Sequence, residues 1–170
     1  MGDLGGGSGR YFIATPLLMR DLIFISYSRK DVKWLVEFQT MLKPLAKNLP
    51  TDIWDDTKIK TGQEWKAQIE QALSRACIAV LLVSPDFLAS DFIAEQELPP
   101  LLRVAEEGGL TIVCLHVSHC LHEETEIGKY QGVNDPSKTL DRFSRGERNE
   151  ILAKACREIK VLALQSQDIL

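Results

Sequence analysis

Four short apolar runs, separated by amphipathic stretches, are the feature of this sequence that most limits its fold. They read DLIFISYS (21–28), TDIW (51–54), CIAVLLVS (77–84) and LTIVCLHVS (110–118). Three of them are almost continuously apolar, which is typical of strands buried on both faces of a parallel sheet. The stretches between them carry apolar residues at helical spacing. The alternation therefore predicts an α/β fold in which helices cover both faces of a parallel sheet.

The composition of the chain narrows its class. Its 170 residues, 45% of them hydrophobic and 26% charged, suit one globular domain with a real core. A net charge of −4 gives no reason to expect nucleic acid as a partner, and no apolar run approaches the roughly 20 residues that span a bilayer. We interpret the glycine-rich residues 1–20 as a flexible leader or an expression remnant rather than a signal peptide. Four cysteines without an export signal then favour reduced thiols in a cytoplasmic protein.

One acidic stretch, SDFIAEQELPPLL (90–102), follows the third apolar run. In a parallel sheet, ligands bind beyond the carboxyl ends of the strands, and this stretch is expected at that rim. Its two prolines, Pro99 and Pro100, fit only the first turn of a helix, so one helical turn would end near Glu97 and another would begin after it. Free backbone N–H groups at that start would favour the charged form of Glu97. The pattern alone leaves open that these acids simply face water.

Two other kinds of site can be drawn from the residues. CLHVSHCLH (114–122) gathers cysteines and histidines that suit zinc, but no second cluster with finger spacing occurs, and we favour incidental histidines at a strand end. A nucleophilic Ser26 or Ser84 would need a histidine partner, yet all three histidines lie within 116–122 and no G-x-S-x-G elbow is present. No glycine-rich phosphate loop of the Rossmann or Walker type occurs either.

Three segments, in this order and spacing, resemble a Toll/interleukin receptor (TIR) domain of the bacterial type over about 21–162. They are DLIFISYSRKD, IWDDTKIKTGQEWKAQIEQAL and CIAVLLVSPDFLASDFIAEQELPPLL. The resemblance implies a flavodoxin-like three-layer sandwich, with a five-stranded parallel sheet flanked by helices. It places the TIR domain at 21–165, after the leader and before a tail at 166–170.

The resemblance also implies a function. Many bacterial and plant members cleave NAD⁺ at the nicotinamide–ribose bond, and some cyclise the product into a signalling nucleotide. NAD⁺ would then be a substrate, with no cofactor, and other TIR domains would be partners in an assembly that serves antiviral immunity. The alternative is a TIR–TIR adaptor module without turnover. Neither reading implies a nucleic-acid or membrane partner.

The resemblance assigns site residues one by one. The essential glutamate of the NAD-cleaving members lies after the third strand in a W-x-x-x-E-type motif, and the matching position here is Glu97, with Glu95 as runner-up. The aromatic Phe92 lies five residues before Glu97 rather than four, which on a regular α-helix would turn the two roughly 140° apart. Either this segment is irregular, or Glu95 is the acid. No metal is implied, and the expected substrate-binding residues are Ser26, Tyr27, Ser28, Trp54, Asp55, Lys60, Trp65 and Phe92.

Overall fold

The computed structural model describes residues 19–168 of the chain. Residues 1–18 and 169–170 fall outside the described part. The division into a leader (1–20), a domain (21–165) and a tail (166–170) therefore stays a prediction.

Four parallel strands form one sheet in the order β2-β1-β3-β4. They are β1 (Leu22–Ser26), β2 (Asp52–Trp54), β3 (Ala76–Val83) and β4 (Thr111–His116). Each strand begins and ends within two residues of the apolar run that predicted it. Every residue of the two central strands, β1 and β3, is buried, because helices cover both faces of the sheet. This is the physical reason for their continuously apolar sequence.

Helices connect the strands and cover both faces of the sheet, as predicted. None of the described helices is both long and apolar enough to cross a membrane. The first helix contains Pro44 and ends two residues later, at Ala46, because proline disfavours continuation of a helix. Besides short 3₁₀ turns, the helical elements are α1 (Val32–Ala46), α2 (Trp65–Arg75), α3 (Pro85–Leu88), a π-helical segment (Ile93–Glu97), α4 (Leu98–Glu106) and α5 (Arg145–Gln165).

Alternate residues of β1 belong to opposite sides of the sheet. Ile23 and Ile25 belong to the hydrophobic cluster that includes residues of α1 and α5. Leu22 and Phe24 belong to the cluster that includes residues of α2 and α4. Because side chains alternate along a strand, Ser26 continues the second set and is directed towards the α2 and α4 layer. The alternation of side chains along β1 thus places Ser26, the last residue of the strand, on the side of the sheet that α2 and α4 cover.

The expectation of a five-stranded sheet was wrong, because the described chain contributes four strands. The place of a fifth strand beside β4 is taken by an irregular segment that makes one parallel bridge, between Cys114 and Gly132. Beyond it, the side-chain amide of Asn134 replaces a strand backbone: its Oδ1 accepts from the His116 N–H (2.8 Å) and its Nδ2 donates to the His116 carbonyl (2.9 Å). Pro136, two residues on, has no N–H to continue a ladder. The edge of β4 is therefore covered without a regular strand.

Gly132 is needed at this edge for close packing. A Cβ atom there would lie 2.6 Å from both Cδ2 and Nε2 of the His116 ring and 2.9 Å from the Asn134 carbonyl oxygen. We expect Gly132→Ala to lower the free energy of unfolding by about 1–3 kcal/mol, a fall of several degrees in Tm. Gly146→Ala is the matched control: that position lies in α5 with nothing within 4 Å, so its Tm should hold or rise slightly. Equal Tm values for the two variants in thermal unfolding would contradict this packing.

Candidate functional site

A cleft of about 750 Å³ opens beyond the carboxyl end of β1. Its walls come from the turn after β1, the loop after β2, the start of α2 and the segment that follows β3. This is the rim where parallel sheets bind ligands, and the volume is ample for a small-molecule ligand. Its polar and aromatic lining comprises Tyr27, Ser28, Arg29, Lys30, Asp56, Trp65, Asp86, Ser90, Phe92 and Glu97.

Glu97 is a buried acid at the inner side of this cleft. Only 6% of its surface is exposed. The hydroxyl of Ser26 donates a hydrogen bond of 2.5 Å to Oε2 of Glu97. Ser26 can reach it because the parity of β1 directs this side chain towards the layer that contains the π-helical segment. Two residues that are 71 positions apart in the sequence are thus joined at the base of one cleft.

The π-helical segment Ile93–Glu97 explains the unusual spacing of the motif. The backbone N–H of Leu98 donates to the carbonyl of Ile93, five residues earlier, so residues five apart lie about one turn apart. Phe92 and Glu97 consequently both line the cleft. Glu95 is exposed and is not among the lining residues. Of the two alternatives drawn from the sequence, the irregular segment is therefore the one that the structure contains.

The expected stabilisation of charged Glu97 by free backbone N–H groups is absent from the described site. Glu97 precedes α4, but the first turn of that helix contains Pro99 and Pro100, which have no N–H, and the Leu98 N–H is already bonded to Ile93. Burial instead raises the pKa of Glu97 from 4.5 to about 7. The hydrogen bond from Ser26 lowers this pKa and the charge of Asp56 raises it, both less than burial does. Glu97 is therefore poised to exchange a proton near neutral pH.

An aromatic pair forms the outer wall of the cleft. The rings of Trp65 and Phe92 lie edge to face, with centroids 5.2 Å apart and planes 63° apart. Trp65 is 53% exposed, so much of its surface faces solvent rather than protein. A large exposed aromatic ring beside a buried acid is suited to hold a planar ligand group.

Asp56 is a cleft residue that the sequence interpretation missed. The hydroxyl of Tyr27 donates a hydrogen bond of 2.5 Å to Asp56 Oδ1, and Arg29 Nε lies 3.7 Å from Asp56 Oδ2. Burial, with Asp56 as the second cause, raises the pKa of Tyr27 above its usual range, so the phenol stays protonated and donates. The adjacent acids of WDDTK carried a usable signal, because an aspartate that caps a turn points inward and leaves its neighbour facing out.

Four of the expected substrate-binding residues are absent from the cleft lining: Ser26, Trp54, Asp55 and Lys60. Ser26 reaches the site only through its hydrogen bond to Glu97. Trp54 stacks on Phe24 of the neighbouring strand, with ring centroids 5.1 Å apart. Asp55 is fully buried, where it accepts hydrogen bonds from the Thr57 N–H (3.0 Å) and from Gln39 Nε2 (2.6 Å). Lys60 is exposed on the loop and is absent from the lining. Packing and capping occupy Trp54 and Asp55, whereas Tyr27, Ser28, Trp65, Phe92 and Glu97 do meet in the cleft.

The serine and metal alternatives gain no geometric support. Ser84 caps α3 by accepting from the Phe87 N–H (2.9 Å) and donates to Asp31, while Ser26 donates to Glu97. Within residues 19–168, no three histidine, cysteine, aspartate or glutamate side chains are arranged to hold a metal ion. The rings of His116 and His122 pack 4.7 Å apart, and burial lowers the pKa of His116 to about 4.

Most of the chain matches the model of one protein family. The family model described as "TIR domain" matches residues 23–149, most of the chain. The chain belongs to the TIR domain family. The match includes β1 from Ile23 onwards, the other three strands of the sheet and every cleft residue named above.

Two individual proteins are similar to this TIR domain. The uncharacterized protein y4lF of Sinorhizobium fredii (strain NBRC 101917 / NGR234) is 25% identical over 137 residues. The match covers 80% of this chain but 42% of that protein, so the chain spans less than half the length of this curated relative. Among solved structures, the TIR domains of the activated Roq1 resistosome directly recognizing the pathogen effector XopQ match with a TM-score of 0.43 and 17% identity. That match covers 88% of this chain and 99% of the other.

The raised pKa of Glu97 predicts how stability depends on pH. The folded protein binds this proton more tightly than the unfolded chain does, so the wild type loses stability as pH rises from about 4.5 to about 7. Glu97→Gln removes that loss. The free energy of unfolding of the variant, relative to wild type, should therefore increase by about 2.5 kcal/mol between pH 5 and pH 8.

The measurement is urea unfolding of both proteins at several pH values. Glu95→Gln is the matched control, because Glu95 is exposed two positions away, and its difference from wild type should not change with pH. A flat difference for Glu97→Gln as well would show that Glu97 is not buried as described.

Proposed function

We propose that this TIR domain cleaves NAD⁺ at the nicotinamide–ribose bond, with Glu97 as the carboxylate that faces the reacting ribose. The observation that carries the proposal is a single buried acid, tied to Ser26, at the inner side of a cleft of about 750 Å³. An acid that merely solvates a helix has no reason to be 6% exposed. Buried carboxylates with raised pKa values in clefts are typical of functional sites.

One carboxylate is enough for this reaction. Most glycoside hydrolases need a second carboxyl group that protonates the leaving oxygen. In NAD⁺, nicotinamide leaves from a positively charged ring nitrogen and departs neutral, taking the bonding electron pair, so no proton donor is required. The positive charge that develops on the ribose is then stabilised by ionised Glu97 in a water-poor cleft. Water that attacks the ribose carbon releases a proton and gives ADP-ribose, whereas attack by a ring nitrogen of the product's own adenine gives a cyclic isomer.

The pKa of Glu97 suits this role. In the empty cleft the acid titrates at about 7, so a substantial part of the protein is ionised at neutral pH. The nicotinamide ring of the substrate carries a positive charge, and an opposite charge nearby favours the ionised carboxylate. Substrate binding would thereby complete the ionisation. Ser26 fixes the orientation of Glu97, and Tyr27 and Ser28 line the same wall for contacts with the ribose and the carboxamide.

The decisive test is NAD⁺ consumption by wild type, Glu97→Gln and Glu95→Gln at equal concentration. The glutamine keeps the shape of the side chain and removes its charge, so we expect its rate to fall by about 10²-fold or more. The exposed Glu95→Gln should retain the wild-type rate within about twofold. Mass spectrometry of the products identifies nicotinamide and distinguishes linear from cyclic ADP-ribose.

An adaptor module gives a different result in this assay. Wild type would then consume no NAD⁺ even at high concentration, and Glu97→Gln would bind partner TIR domains as well as wild type does. Equal, nonzero rates for wild type and Glu97→Gln would instead remove Glu97 from the reaction.

We propose further that the active form is a self-associated assembly in cytoplasmic defence signalling. The exposed Trp65 and the polar loop after β2 border the mouth of the cleft, so a second copy docked there would exclude water from it. Specific activity should then rise several-fold as protein concentration increases across the dissociation constant. A dilution series, followed by size-exclusion chromatography, measures both quantities. Constant specific activity over the whole series would show that one copy suffices.

A further inference from the structure

A second cavity lies between helices α2 and α4, directly beside the cleft. Its volume is about 410 Å³. It shares Trp65, Ile69 and Phe92 with the cleft as lining residues, so the two cavities meet at the aromatic pair. We call it the helix groove, defined beyond those shared residues by Arg20, Lys66, Glu70, Leu73, Arg103 and Val104.

The two cavities carry opposite charge. Of the charged side chains that line the cleft, three are acids (Asp56, Asp86 and Glu97) and two are cations, Arg29 and Lys30. Each of these cations lies within 4 Å of an acid of the cleft: Arg29 Nε is 3.7 Å from Asp56, and Lys30 Nζ is 3.4 Å from Asp86. The cleft therefore offers a ligand more negative charge than positive.

The helix groove has the reverse balance, with three cations and one acid, Glu70. Arg20 is engaged, because its Nη1 donates to the Ala76 carbonyl oxygen at 2.9 Å and thereby closes the end of α2. Lys66 and Arg103 form no ion pair with any acid of the described residues 19–168. Both are exposed, so their charges are available to a ligand in the groove.

We infer that the helix groove binds the adenosine diphosphate half of the dinucleotide whose nicotinamide ribose lies against Glu97. This inference rests on the proposed function. NAD⁺ is itself divided in the same way, with a cationic nicotinamide ring at one end and an anionic diphosphate in the middle. Lys66 and Arg103 are the phosphate partners, because charge-assisted hydrogen bonds from lysine and arginine are the strong ones for phosphate oxygens. Leu73 and Val104 supply apolar surface for the adenosine.

The groove is tested first by ADP binding, which requires no turnover. Isothermal titration calorimetry compares wild type with the double variant Lys66→Glu/Arg103→Glu, for which we expect the Kd of ADP to rise by about tenfold or more. The matched control is Arg157→Glu/Lys160→Glu, which makes the same change in net charge at exposed positions of α5, on the opposite face of the sheet. Its Kd should remain within about twofold of wild type. No measurable binding of ADP to wild type, or equal weakening in the two double variants, would overturn the inference.

Kinetics then separate the dinucleotide from free ADP as the natural ligand. Nicotinamide riboside keeps the scissile bond but lacks both phosphates and the adenosine. If the groove holds the adenosine diphosphate half of the dinucleotide, Lys66→Glu/Arg103→Glu raises KM for NAD⁺ by about tenfold and leaves kcat/KM for the riboside within about twofold. Weakened ADP binding with an unchanged KM for NAD⁺ would overturn the shared-substrate assignment and make the groove a separate nucleotide site.

The outcomes for the groove and for the proposed reaction are distinguishable. ADP binding that depends on Lys66 and Arg103, without any NAD⁺ turnover, would contradict the proposed reaction but still support a nucleotide site in the helix groove. Turnover that depends on Glu97, with no effect of the groove variants on the Kd of ADP or on KM for NAD⁺, would contradict only the inference about the helix groove. Far-ultraviolet circular dichroism and Tm check that each variant is folded. Should the charge reversals unfold the protein, the neutral variants Lys66→Gln and Arg103→Gln replace them, with about threefold expected for each.

Discussion

A carboxylate withdrawn from water and held by one serine hydroxyl is the interaction on which the site depends. Desolvation of Glu97 opposes its charge, and the bond from Ser26 offsets only part of that cost. The fold maintains this contact because strand β1 fixes the position of Ser26 and the π-helical segment fixes the position of Glu97. A buried acid that lowers the free energy of unfolding is typical of functional sites rather than of ordinary hydrophobic cores.

The π-helical segment makes this contact compatible with the helix that follows. Its one wider turn, closed by the Leu98 to Ile93 hydrogen bond, brings Phe92 and Glu97 to the same cleft although they are five residues apart. The two prolines then begin α4 without unsatisfied N–H groups, which also removes the donors that would otherwise have stabilised a charged Glu97. One local irregularity thus sets both where the acid points and how readily it holds a proton.

The same segment divides the surface beyond the sheet into two compartments of opposite charge. The aromatic pair Trp65 and Phe92 stands between an acid-rich cleft and the cation-rich helix groove. Neither compartment could be recognised along the chain, because the acids and cations of each come from separate elements. An acid-rich cleft beside a cation-rich groove is complementary to a ligand with a positive and a negative end. The proposed reaction in the cleft and the proposed binding of the adenosine diphosphate half in the groove are therefore compatible.

The sequence by itself determined a parallel sheet with helices on both faces, and it predicted Glu97 as the functional acid. Apolar runs located all four strands within two residues. Three of these runs are almost continuous, because a strand that is covered on both faces carries few polar residues. The fifth strand was implied by the family resemblance and not by the residue pattern. Asn134 and Pro136 explain why it does not form. Only the tertiary structure decided which neighbours of Glu97 share its cleft. Trp54 and Asp55 are adjacent to Asp56 in sequence but are turned into packing and capping, because inward or outward direction depends on contacts with distant elements. The proton affinity of Glu97 was decided there too, since burial is a property of the whole fold and not of the stretch that contains the acid.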